Sequence, residues 1–136
     1  MSAAKSNVIN TSGKRKRAIA RATLKPGKGM IRVNGQRIEI FKPALARMKI
    51  LEPMILVGDL ANKVDVQINL NGGGQSSGPE AARLALARAL VAFGGNDIKE
   101  KFMAYDRFLL VADVRRKERY KPNDSKARAK RQKSYR

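Results

Sequence analysis

Three consecutive glycines, Gly72-Gly73-Gly74, join an alternating apolar run to an alanine- and leucine-rich one, and the rest of the chain packs on that junction or hangs from it. The stretch from Asn71 to Phe93 reads as a loop that ends a strand and starts a helix. Pro79 suits the first helical position, where its missing N–H costs nothing, and Glu80 suits the positive end of the helix dipole. Ser77 or Gly78 is then the expected N-cap. From Ala81 to Phe93 only Arg83 and Arg88 carry charge, so the helix is mostly buried. Ala81, Ala85, Ala89 and Ala92 form a small-residue stripe at helical spacing, which lets a backbone or sheet approach closely. Leu84, Leu86, Leu90 and Val91 supply bulk, and Gly94-Gly95-Asn96 stops the helix.

A glycine loop at a helix start favours anions, because free N–H groups and the dipole both point into it. A nucleotide-binding P-loop needs Lys after its last glycine, and none follows Gly78; the dinucleotide fingerprint needs glycine where Ser77 stands. Two readings remain: a nucleic-acid phosphate on Gly72, Gly73, Gly74 and Gln75, or a tight turn that merely needs positive φ.

The flanking elements define an α+β chain. Lys14 to Leu24 reads as one strand with Arg17, Ile19, Arg21 and Thr23 on one face and Ala18, Ala20, Ala22 and Leu24 on the other. A turn over Lys25-Pro26-Gly27-Lys28-Gly29 returns it as a hairpin through Met30 to Asn34. Asn34-Gly35 turns again, into a short extended piece at Arg37 to Ile40. Pro43 opens a helix with Leu45, Met48, Leu51 and Ile55 at apolar spacing, which Pro53 ends or kinks. Met54 to Val57 fits a last helical turn or a short strand. Val64 to Leu70 alternates strictly, with Asp65, Gln67 and Asn69 on the polar face. Asp97 to Tyr105 is a short helix with Ile98, Phe102 and Tyr105 on one side, and Phe108 to Ala112 a short strand or buried connector.

Charge separates the chain into parts. Residues 1 to 38 hold ten Lys or Arg and no acid, residues 39 to 113 nine of each, and residues 114 to 136 eleven bases and two acids. A balanced middle between two cationic ends calls for a polyanion, and nucleic acid is the expected one. The organisation expected is an N-terminal arm or edge strand over 1–13, a globular domain over 14–113 and a basic tail over 114–136. With no Cys and no His, disulfides, Cys/His zinc sites and histidine acid-base chemistry are excluded. No apolar run approaches a membrane span. The tail cannot bury enough apolar surface to offset backbone ordering of ~1–2 kcal/mol per residue, and it orders on binding. Its arginines suit bidentate phosphate contacts, its lysines act as point charges, and Tyr120 and Tyr135 can stack on bases.

Three stretches together resemble the small-subunit ribosomal protein nine family in its archaeal and eukaryotic form. They are Gly13-Lys14-Arg15-Lys16-Arg17-Ala18 through Ile31-Arg32-Val33-Asn34-Gly35; Asn71-Gly72-Gly73-Gly74 through the helix bearing Arg83 and Arg88; and Asp106 to Asp113 with the ending Gln132-Lys133-Ser134-Tyr135-Arg136. The resemblance implies a compact two-layer, βαβ-rich α+β domain like the second domain of ribosomal protein five, with a long basic C-terminal extension. It implies a cytoplasmic, non-enzymatic constituent of the ribosome, without cofactor, metal or membrane, and not an independent homo-oligomer. Its partners would be 16S-type rRNA in the small-subunit head, neighbouring head proteins and peptidyl-site tRNA.

With the charge reading, this places rRNA contacts on Lys14, Arg15, Lys16, Arg17, Arg21, Lys28, the 72–75 loop, Arg83, Arg115, Arg116, Lys117, Arg119, Arg128, Lys130 and Arg131. The resemblance places tRNA contacts on Lys133, Ser134, Tyr135 and Arg136. One departure stands out: relatives usually carry a glycine-rich hinge where this chain has Tyr120-Lys121-Pro122-Asn123-Asp124-Ser125. Two rivals share the charge, a DNA-compacting chromatin protein and an RNA-modifying enzyme. The enzyme would need Asp65, Glu80, Asp106 or Asp113 as acid-base groups. Structural duties suit them better: Asp65 on a strand face, Glu80 at the helix start, and Asp106 and Asp113 paired with Arg107, Arg115 or Arg116.

Overall fold

A computed structural model describes residues 7–124, 126–131 and 135. In chain order the strands are β1 (Ile9–Arg15), β2 (Ala18–Pro26), β3 (Ile31–Val33), β4 (Gln36–Arg37) and β5 (Val64–Asn71). The helices are α1 (Ala44–Val57), α2 (Gly74–Gly94) and α3 (Asn96–Tyr105), with 3-10 turns at Ile38–Ile40, Gly58–Lys63 and Arg107–Leu109. One sheet runs β1-β2-β5-β3-β4, and β5 pairs antiparallel with β2 and parallel with β3. The unit β3-α1-β5 is therefore a crossover, and the fold is α+β.

The expected strand from Lys14 to Leu24 is instead two strands. Arg15 pairs with Ala18 across a two-residue turn in which Lys16 adopts φ 53°. The alternation itself holds: Ala18, Ala20, Ala22 and Leu24 are buried, whereas Arg17, Ile19 and Arg21 are exposed. The expected β2–β3 hairpin does not form either, because β5 lies between those strands. The 27–29 loop explains why. Gly27 N–H donates to the Lys63 carbonyl and Gly29 N–H to that of Val64, while the Asp65 carboxylate accepts from Lys28 and Met30 N–H, both at 2.8 Å. The loop thus runs along the start of β5 and delivers β3 to its far edge.

Helix α2 starts a turn earlier than the proline suggests. Gly73, at φ 79°, is its N-cap, and the Ser77 hydroxyl donates back to the Gly73 carbonyl. Pro79 lies inside the helix, so Glu80 is not at its positive end. Ala81, Ala85 and Ala89 are buried as expected, but Ala92 is exposed. The small-residue stripe meets β1, whose Thr11 hydroxyl donates to the Ala85 carbonyl at 2.7 Å. At Gly13 a Cβ would press on the Ala81 carbonyl and lie 2.7 Å from Ala85 N, so strand and helix backbones touch only because that residue is glycine. Alanines on β2 and on α2 keep the layers close, and Leu86, Leu90 and Ile68 fill the remaining space.

Of the apolar residues expected to face the core from α1, Leu51 alone packs against it, half-buried. Leu45, Met48 and Ile55 are 67%, 62% and 75% exposed, while Ala46, Ile50, Pro53 and Met54 face α2 and the core. Two stripes at spacings of three and four compete on this helix, and packing against α2 selects the second. Pro53 does not end the helix, and Met54 to Val57 complete it up to Gly58. Helix α3 is anchored by fully buried Phe102, a contribution of about 3 kcal/mol. Tyr105, expected on the same side, is instead exposed and donates to Glu52 Oε1 at 2.8 Å. Leu109 is buried, and from Ala112 to Arg131 the described residues form neither helix nor strand.

Candidate nucleic-acid interface

Three stretches far apart in the chain meet at one hollow of about 1080 Å³. The β1–β2 turn contributes Lys16 and Arg17, the glycine loop Gly73 and Ser77, and the segment after Asp113 contributes Arg115, Arg116, Lys117, Glu118, Arg119 and Tyr120. Local geometry forces the first two together. Gly72, Gly73 and Gly74 all have positive φ, so β5 gives way to α2 within three residues. A Cβ on Gly72 would lie 3.1 Å from the Arg17 carbonyl, and one on Gly73 would overlap the Ala18 methyl. The loop can rest on the basic turn only as glycine.

Ion pairs bring in the third stretch. Arg15 Nε donates to Glu80 at 2.8 Å, and its Nη1 lies 3.1 Å from Asp113. Asp113 in turn accepts from Arg115 Nε, Nη2 and backbone N–H. The Arg115 side-chain and backbone hydrogen bonds, in that order, hold the Asp113 carboxyl at about 2, well below its ordinary value. Burial alone would raise Glu80, but the Arg15 hydrogen bond and the Lys49 charge outweigh it and leave its pKa lowered. The root of the C-terminal segment is thereby tied to β1 and α2. Beyond it, Lys117 Nζ lies 4.5 Å from the Tyr120 ring centroid, a cation–π contact on the wall of the hollow.

The expected contact residues fall into groups. Lys16, Arg17, Gly73, Arg115, Arg116, Lys117 and Arg119 line the hollow, with Gly72 and Gly74 beside it. Arg15 and Arg83 differ, with side chains only 13% and 15% exposed. Arg83 bridges Glu52 at 2.5 Å and Asp106 at 2.9 Å, so it ties α2 to α1 and to the segment after α3. Gln75 is exposed but borders a separate depression with Phe41, Pro43 and Arg47. Lys28 is exposed on the pinned 27–29 loop. Lys14 and Arg21 lie on the open face of the sheet.

Farther along the chain, Arg128 pairs with Glu118 at 2.6 Å, Arg131 approaches Asp124 at 3.9 Å, and Lys130 is exposed. The departure from the glycine-rich hinge is a turn, in which Asp124 N–H donates to the Lys121 carbonyl and Asn123 takes φ 63°. Tyr135 is exposed, and Lys133, Ser134 and Arg136 lie outside the described residues.

The four carboxylates that catalysis would need are all engaged. Asp65 pins the 27–29 loop, and the Met30 and then Lys28 N–H groups lower its pKa. Glu80 and Asp113 hold Arg15. Asp106 holds Arg83, not the expected Arg107, and caps Phe108 N–H at 2.9 Å. Among the described residues no cluster of His, Cys, Asp or Glu could hold a metal ion, and no helix is long and apolar enough to cross a membrane. Lys25, Arg32 and Arg37 were not singled out from sequence, yet they share the open sheet face with Arg21. The polar alternation of Val64 to Leu70 was the available signal.

Engaged carboxylates thus stand beside a hollow walled by six cations, an arrangement suited to holding an anion. A family model described as ribosomal protein S9/S16 matches residues 13–136. The chain is 52% identical over 132 residues to small ribosomal subunit protein uS9 of Methanococcus maripaludis strain S2, covering 95% of this chain and 98% of that protein. The uS9 proteins of strains C7 and C5 are each 51% identical over the same coverage. The chain belongs to the ribosomal protein S9/S16 family, in its archaeal type. It is accordingly a structural, non-enzymatic constituent of the small ribosomal subunit, and so resides in the cytoplasm within the ribosome.

Proposed function

We propose that this protein holds 16S-type rRNA in the head of the small subunit and, through its C-terminal end, contacts tRNA in the peptidyl site. It does so as a single copy among neighbouring head proteins. The observation that carries the rRNA reading is the convergence of the basic turn, the glycine loop and the 115–120 segment on one hollow with six cations in its wall. An rRNA backbone entering there meets a guanidinium or ammonium from each side, with the start of α2 at its floor. The domain would be the anchor and residues 114–136 an extended basic tail following the RNA outward. Lys133, Ser134, Tyr135 and Arg136 would be the tRNA contacts, with Arg136 nearest the tRNA backbone. The effect on tRNA is electrostatic holding, not chemistry.

The test compares small subunits carrying the full chain with subunits carrying a chain that lacks residues 133–136. Faster release of peptidyl-site tRNA from the truncated subunits, with normal assembly, is the expected result. Unchanged release with faltering assembly would make the whole tail rRNA scaffolding and overturn the tRNA assignment.

A further inference from the structure

Helices cover one face of the sheet; on the other, residues paired across the strands stand side by side in solvent. The central strand β5 presents the neutral amides Gln67, Asn69 and Asn71 and, at its start, Asp65, whose carboxylate accepts from Lys28 and Met30 N–H. On one side of it β2 and β1 present Arg21 and Lys14, and on the other β3 and β4 present Arg32 and Arg37. Among the described residues, Lys14, Arg21 and Arg32 have no carboxylate within ion-pair distance, and Arg37 has only exposed Glu39 at 3.8 Å. The face also lacks an aromatic ring, so it offers single-stranded bases no stacking platform.

We infer that this open face docks on the minor groove of an rRNA duplex, separate from the strand held at the hollow. The inference rests on the rRNA-binding reading and names a second RNA element for it. An A-form minor groove is wide and shallow and displays 2′-hydroxyls and base edges to a flat surface. Short amides on β5 suit those edges as donors and acceptors. Strands lie roughly 4.8 Å apart, so the Arg21 and Arg32 rows are separated by roughly 10 Å, one row for each phosphate backbone bordering the groove. The cations supply affinity, and the amides supply preference for RNA over DNA.

The test uses the full chain and three probes: an RNA duplex of about 16 base pairs, a DNA duplex of the same sequence, and poly(U). Arg21→Gln with Arg32→Gln is expected to weaken RNA-duplex binding about tenfold and reduce the log-log salt slope by about 2, leaving poly(U) binding unchanged. Gln67→Ala with Asn69→Ala is expected to narrow the preference for RNA over DNA duplex without changing the slope. These side chains are exposed, and thermal melts verify that each variant folds.

A folded Arg21/Arg32 variant that binds the RNA duplex like the parent overturns the inference and leaves the face to a protein neighbour. Equal losses on duplex and poly(U) also overturn it, since charge alone would then act. Arg17→Gln with Arg116→Gln separates this result from the hollow. If that pair leaves poly(U) binding intact, the hollow reading fails while the sheet-face result stands on its own duplex measurement.

Discussion

Arg15 and Arg83 sit among carboxylates under the surface, whereas Arg17 and Arg116 line a hollow whose one carboxylate, Glu118, is paired with Arg128. The same side chain thus does opposite work a few residues apart. A guanidinium flanked by two acids is neutralised and crosslinks elements, while one left without an acid keeps a field that reaches outward. Under the proposed function, a basic residue near the junction serves the fold or the RNA according to its partners, not its type.

Arg83→Met should separate the two regions most sharply. Glu52 and Asp106 would lose their shared cation, and stability should fall by about 2 kcal/mol, below the ~3–5 kcal/mol of a fully buried pair because solvent reaches both acids. Urea unfolding measures that loss, and an unchanged salt slope for rRNA binding would show that Arg83 is no phosphate ligand. The reverse pattern is expected of Arg17→Gln with Arg116→Gln: the same melt, with rRNA affinity down roughly tenfold and a slope shallower by about 2. A lowered melt instead would make the hollow part of the fold.

The smallest effect concerns Asp113. Its folded pKa of about 2 lies below the ordinary 3.8, so its contribution is complete above pH 3.8 and disappears as pH falls toward 2. Thermal melts across that window should fall less steeply for Asp113→Asn than for the parent. Parallel curves would mean that Asp113 does not fasten the root of the tail.

Those parts of the fold governed by local pattern were legible from sequence. Strand β5 alternates without interruption, and the stop at Gly94-Gly95 follows from glycine's freedom at a helix end. The remaining parts depended on partners that a linear reading lacks. Helix α1 offers two apolar stripes, and only α2 selects between Leu45 and Ile50. The β2–β3 loop resembles a hairpin until Asp65 pins it to β5. Pro79 looked like a helix start because its preference is positional, yet Gly73 had already supplied the cap. The basic turn and the glycine loop were both visible as candidate sites; their meeting was not, since about 55 residues of chain separate them. Counting cations also grouped Arg15 and Arg83 with the exposed bases, because acid partners 65 and 23 residues away leave no trace in composition.

The glycine contact between β1 and α2 also sets an order of events during synthesis. Thr11 and Ala85 are 74 residues apart, so the first strand is made long before the helix that receives it. At roughly 5–20 residues per second, that interval is about 4–15 s. Throughout it, Lys14 to Arg17 emerge as a cationic peptide without Glu80 or Asp113 to restrain Arg15. The N-terminal segment therefore exposes the full Arg15 charge before it has a shape, and completion of α2 withdraws that charge into the folded body.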